Sequence, residues 1–175
     1  GTIRISPENK TVTPTEGRKP IVRIIQNYAN LTLESMQIYA QNQYGGENYP
    51  LSFNNGSIVF KGNTSIYTSS PDNIAFDVCY WTKGGYTEGV DVTFEQDYTG
   101  TINGTIIYDS TDGDKGKLEI NGNGHFGKID CSLGSEDAAK EGIKISGGTF
   151  KESVAEYVVD SLNFELNSNG LYSYY

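Results

Sequence analysis

The feature that most constrains this chain is a threefold series of short apolar runs that stays in step along most of its length. One series pairs Leu31 with Leu33, Ile58 with Phe60, Val92 with Phe94, Leu118 with Ile120, and Ile143 with Ile145. A second runs Met36 and Ile38, Ile66, Ile102, Phe126, Phe150. A third runs Ile21 to Ile25, Leu51 and Phe53, Ile74 to Val78, Ile106 to Tyr108, and Ile129 to Cys131, with Val158 and Val159 as a further candidate. Within a series the step is roughly 23 to 36 residues, a spacing that makes each repeat one supersecondary unit. Period-two alternation makes each run a short strand. Three such strands joined by turns cannot bury their apolar sides alone, so each repeat must stack on the next. The pattern predicts an all-β parallel β-helix of about five coils.

The competing arrangement is a β-sandwich with Gly-rich hairpins, which also yields short strands and turns. Three columns in step favour the β-helix. Gly122 with Gly124, and Gly147 with Gly148, fall between the first and second strands of a coil. A coil bends sharply there, and glycine tolerates the φ values such bends use. Phe126 and Phe150 follow these glycines and are expected to point inward and stack along the axis.

The whole chain, 1–175, reads as one domain. Residues 21–150 are the coils. Residues 1–20 are Pro- and Thr-rich and form a leading strand with a linker, or a poorly patterned first coil or cap. Residues 151–175 cap the C-terminal end, closing with a hairpin of "NFEL", a turn at "NSNG", and "LYSYY". Residues 135–141 can form a helical turn or two, with Ser135 as N-cap and Gly142 just past the end. Residues 152–160 can form a short helix or a strand.

Composition narrows the partners. The formal net charge is -9, with a pI of about 4.5, and no basic stripe exists to neutralise phosphates. Nucleic acid and anionic membrane surfaces are therefore disfavoured. No run of apolar residues is long enough to cross a membrane, so membrane insertion is not expected. The balance suits an exposed setting, extracellular, on a cell surface or on a virion.

The segments "NLTLESMQIYAQN", "LSFNNGSIVFKGNTSIY", "IAFDV", "KLEINGNGHFGKI" and "IKISGGTFKESVAEYV" resemble the pectin-lyase-like right-handed β-helix arrays of bacterial surface proteins and phage structural proteins. The resemblance covers roughly residues 20–175, and its most specific part is the "ISGGTF…YV" close. It implies a right-handed helix with a scaffold or adhesive role, often without catalysis. Partners implied are a glycan or a host or cell-surface protein, or a homo-trimer for a phage fibre, tail or decoration protein. The chain departs from the pattern at "CYWTKGGYTEG", residues 79–89, which looks like an insertion.

Some β-helix proteins cleave polysaccharides, so that chemistry needs its residues. A calcium-dependent lyase needs clustered carboxylates and an Arg base, but Arg4, Arg18 and Arg23 all lie near the N-terminus. A hydrolase needs paired carboxylates. Asp77 and Asp130 share a column two coils apart, or about 10 Å at strand spacing, the outer limit for an inverting pair. His125, the sole histidine, has no Cys, Glu or G-x-S-x-G beside it to suggest zinc or a catalytic triad. It reads as an outward residue next to Phe126. No catalytic residue and no cofactor are implied. Asp109, Asp112 and Asp114 form a weak candidate for calcium, off the EF-hand spacing and equally at home in a solvated turn. Cys79 and Cys131 sit two coils apart, beyond disulfide reach, and are expected to be free. Sequons at Asn9, Asn30, Asn55, Asn63 and Asn103 arise easily in an Asn- and Thr-rich β-helix and do not imply glycosylation.

Recognition residues are sought in the insertion. Tyr80, Trp81 and Tyr86 lie on a Gly-rich loop and could stack on sugar faces or fill a protein pocket. The alternative is that Trp81 folds back over the flank of the stack. Tyr172, Tyr174 and Tyr175 pose the same choice between capping the core and packing on another chain.

Overall fold

The computed structural model describes residues 2–5 as backbone, and residues 24–40, 50–159 and 164–174. Asn9, Arg18, Ile21, Arg23 and Tyr175 lie outside the described residues. Strands are numbered along the chain.

The first series forms a five-stranded parallel sheet of β3 (Leu31–Glu34), β6 (Gly56–Lys61), β9 (Val90–Phe94), β11 (Gly116–Ile120) and β13 (Ile143–Ile145). Leu31 pairs with Ile58, Ile58 with Val92, Val92 with Leu118, and Leu118 with Ile143. Leu33, Phe60, Phe94, Ile120 and Ile145 form the parallel row beside them. Five rungs make about four turns of a parallel β-helix. The register is strict because a slip of one residue would turn every apolar side chain outward.

The second series runs through β4 (Gln37–Ala40), β7 (Ser65–Thr68), the front of β10 (Thr101–Asp109), the front of β12 (His125–Leu133) and β14 (Thr149–Phe150). Ile38, Ile66, Ile102, Phe126 and Phe150 are successive partners. At the front, β1 (Thr2–Ile5) adds Ile3 against Ile38. The third series comprises β2 (Ile25–Asn27), β5 (Leu51–Phe53), β8 (Ile74–Cys79) and the rear halves of β10 and β12.

Three separate strands per coil hold only in the early coils. In β10 and β12 the second and third series run on as one strand, bent at a register shift between Ile102 and Thr105. The bend is possible because a Cβ at Gly127 would lie 2.5 Å from the Gly104 carbonyl oxygen, and none is there. Val158 also departs from expectation. It bridges Ile145 in parallel, so it extends the first series, not the third.

The glycine reading needs a further correction. Of the four glycines between first and second strands, only Gly148 has a positive φ, at 93°. The others are required by proximity: a Cβ at Gly122 would sit 2.4 Å from the Glu95 carbonyl oxygen, and one at Gly147 2.7 Å from that of Asn121. Gly142 repeats the lesson. It is the last residue of helix α1 (Glu136–Gly142), not the residue after it, and a Cβ there would meet the Tyr108 hydroxyl at 2.0 Å. The Ser135 hydroxyl caps α1 by accepting from the Ala138 N–H at 3.3 Å.

The core is an aromatic column. Phe94 stacks on Phe60 with centroids 4.4 Å apart and meets Phe126 edge-on at 5.0 Å, and Phe126 stacks on Phe150 at 5.1 Å. Phe164 and Tyr172 continue it into the cap. There β15 (Phe164–Leu166) and β16 (Tyr172–Tyr174) form the expected antiparallel hairpin, and β16 pairs with β14, covering that edge. A short 3-10 turn, Ala155–Tyr157, leads toward it.

Tyr98 is the core member outside the periodic pattern. It enters from the β9–β10 turn, is fully buried, and packs edge-on to Phe94 at 4.8 Å. Its hydroxyl has no hydrogen-bond partner among the described residues, and burial pushes its pKa well up. Tyr98→Phe removes an unsatisfied polar group and keeps the ring. It is expected to raise stability by about 1 kcal/mol in urea unfolding.

Candidate functional site

The loop between β8 and β9 is rooted in the coil before it. The buried Asn54 donates its side-chain amide to the Cys79 carbonyl at 3.1 Å, and its backbone carbonyl accepts from the Trp81 N–H at 3.1 Å. Gly84 and Gly85, with φ of 97° and 85°, turn the loop back. Tyr86 then stacks on Tyr28 from the first coil, with centroids 4.7 Å apart and planes at 21°. Lys115 holds the returning strand by donating to the Thr87 carbonyl at 3.2 Å.

The three aromatic residues expected here do different things. Tyr80 is only 6% exposed and belongs to the core, which corrects its reading as an exposed contact residue. Phe76, Val78 and Tyr80 continue one inward alternation, so its burial follows from period two. Its hydroxyl donates to the Tyr86 carbonyl at 3.3 Å, making Tyr80 the anchor of the loop. Trp81 is half-buried, with the Lys83 ammonium 4.7 Å from its ring centre. Tyr86 is exposed. The result is a clamped aromatic surface of Trp81, Tyr86 and Tyr28 with one cation on it.

The acidic residues do not converge. Asp109 accepts from the Thr111 N–H at 2.9 Å and the Thr111 hydroxyl at 2.6 Å, closing its own turn. Asp112 lies 3.9 Å from the Lys83 ammonium. Asp114 is exposed, and with Asp112, Asp137 and Glu141 it lines a shallow cleft of about 490 Å³. Among the described residues no three potential ligands group around a metal position.

Asp77 and Asp130 do occupy one column, with Ile107 paired between them. Asp77 is 5% exposed. The Ser132 N–H and hydroxyl, then Lys128, hold the Asp130 carboxyl below its ordinary range, the wrong direction for a general acid. Cys79 and Cys131 are free thiols. Burial first, then neighbouring carboxylates, push the Cys79 pKa far up, and burial also raises that of Cys131, so neither is an activated nucleophile. Arg4 lies in β1. Of the sequons, Asn55 is buried, Asn103 half-buried, and Asn30 and Asn63 exposed.

A second surface has no counterpart among the expected site residues. The outer face of the second series carries Tyr39 stacked on Tyr67 at 5.1 Å, then Thr101, His125 and Thr149 in one ladder. His125 points outward, as expected. Tyr67, Thr101, His125 and Thr149, with Lys151 and Leu171, line a cavity of about 300 Å³. The signal was the other half of the same alternation: Tyr39, Tyr67, His125 and Thr149 each flank an inward residue of the second series.

The strand pairing defines the class: this is a parallel β-helix protein. No family model matches the chain, and comparison with curated proteins and with solved structures gives no significant match. Among the described residues no helix is long and apolar enough to cross a membrane.

Proposed function

We propose that this protein is a non-catalytic structural or adhesion module on a cell or virion surface, binding a glycan or a surface protein through the 80–89 loop. The carrying observation is the preformed aromatic surface. Tyr80 anchors the loop, Tyr28 backs Tyr86, and Lys83 lies over Trp81, so contact would cost little ordering of side chains. Large, rigid aromatic rings are the side chains that dominate recognition surfaces. The likeness to pectin-lyase-like surface and phage arrays supports the same reading, as does a net charge of -9. An enzyme fragment acting on polysaccharides has less support, because Asp77 is buried and Asp130 is held ionised by its neighbours.

The test is a glycan and surface-protein array probed with the wild type and with Trp81→Ala. The expected result is at least one saturable partner, bound roughly 30-fold more weakly by Trp81→Ala, about 2 kcal/mol, with an unchanged melting temperature. No partner at all, or equal binding by the variant, sinks the aromatic surface. The phage fibre or decoration alternative differs in assembly, and a trimer by light scattering would favour it.

A further inference from the structure

We infer that the outer face of the second series is a separate binding site for an anionic sugar, a saccharide ring carrying one carboxylate or sulfate. It does not use the 80–89 loop and stands whether or not that loop binds anything. Three observations converge on it. Tyr67 has one ring face on Tyr39, and its next partner along the ladder is the smaller Asn103. Its second ring face therefore looks along the axis into the cavity, as a platform for the apolar face of a sugar. At the other end Leu171, from the C-terminal hairpin, closes the space. The volume of about 300 Å³ is at the small end of ligand sites.

The polar groups then select the ligand. Thr101, His125 and Thr149 stand one rung apart on the floor, offering hydroxyls and an imidazole to sugar hydroxyls. Lys151 makes no ion pair with any described residue. An ammonium with no ion pair among the described residues, beside hydroxyl donors on a chain of net charge -9, is complementary to an anion at this spot. A neutral sugar would leave Lys151 unused, and a polyanion would meet the acidic remainder of the surface.

The experiment titrates the full chain with a disaccharide ending in glucuronic acid, a sulfated disaccharide of the same backbone, and the neutral parent, followed by difference NMR and calorimetry. The expected result is saturable binding of at least one anionic sugar, with the neutral parent about tenfold weaker or worse. Whichever anionic form binds more tightly identifies the group. Lys151→Ala should erase the preference over the neutral parent, and Tyr67→Ala should weaken all three about tenfold. The shifted NMR signals should fall on Tyr67, His125 and Lys151 and not on Trp81 or Tyr86, which separates this site from the loop. Both substituted side chains are at least partly exposed, and thermal melts report whether the variants fold. No saturable binding by any of the three, equal binding of the neutral parent, or indifference to both Tyr67→Ala and Lys151→Ala overturns the proposal.

Discussion

Phe94→Ala is expected to lower the unfolding free energy by about 3 to 5 kcal/mol, the range for deleting a fully buried aromatic. Phe94 has no exposed surface, stacks on Phe60, and meets Phe76, Tyr98 and Phe126. It sits on the middle rung, between Phe60 and Ile120. A cavity there removes contacts to the coil before and the coil after. In a stacked array, stability is close to a sum of neighbour interfaces, so two interfaces weaken at once. Since whole domains hold about 5 to 15 kcal/mol, the variant would stand near its limit. Urea unfolding followed by circular dichroism measures the loss. The control is Val59→Ala on the outer face, expected to change stability by roughly 0.5 kcal/mol. Equal small effects for both would mean that the aromatic column does not hold the coils together.

Gly100→Ala is the second large effect, and its cause is distance alone. A Cβ there would lie 1.9 Å from the Thr64 carbonyl oxygen and 2.8 Å from the Tyr98 hydroxyl. The φ of Gly100 is not positive, so an alanine suffers no conformational penalty of its own. The clash is with the backbone of the neighbouring coil, which cannot rotate away. A loss of about 3 kcal/mol or more is expected, at the upper end for overpacking. Gly85→Ala supplies the opposite case: nothing lies within 4 Å of its Cβ, but its φ is 85°. That variant should lose only about 1 kcal/mol, the cost of the left-handed conformation. Comparing the two by thermal unfolding separates proximity from φ as the reason glycine is used in this fold.

Much of the architecture was legible from period two. Leu31, Ile58, Val92, Leu118 and Ile143 stack in the order their spacing implied, because each buried row admits one register. The misses have a common origin in residues whose role is set by a neighbour in the adjacent coil. Gly122 and Gly142 read as bends or stops, yet each is small because something from another coil approaches it. Tyr98 sits in a turn outside any periodic run, so no pattern announced its burial. Tyr80 was legible in principle, as the third inward residue after Phe76 and Val78, but its position beside Trp81 made it look like a loop residue. Attention to the inward half of the alternation also hid the outer face that carries Tyr67, His125 and Lys151.

In the proposed function this β-helix holds its partner through loop aromatics and performs no chemistry on it. The most direct measurement incubates immobilised protein with a panel of surface polysaccharides and reads retained polymer and newly formed chain ends in one sample. Retention of at least one polymer without new chain ends is expected, with loss of that retention in Trp81→Ala. New chain ends released by the wild type, or retention unchanged in Trp81→Ala for every polymer that Tyr67→Ala and Lys151→Ala still hold, would contradict it.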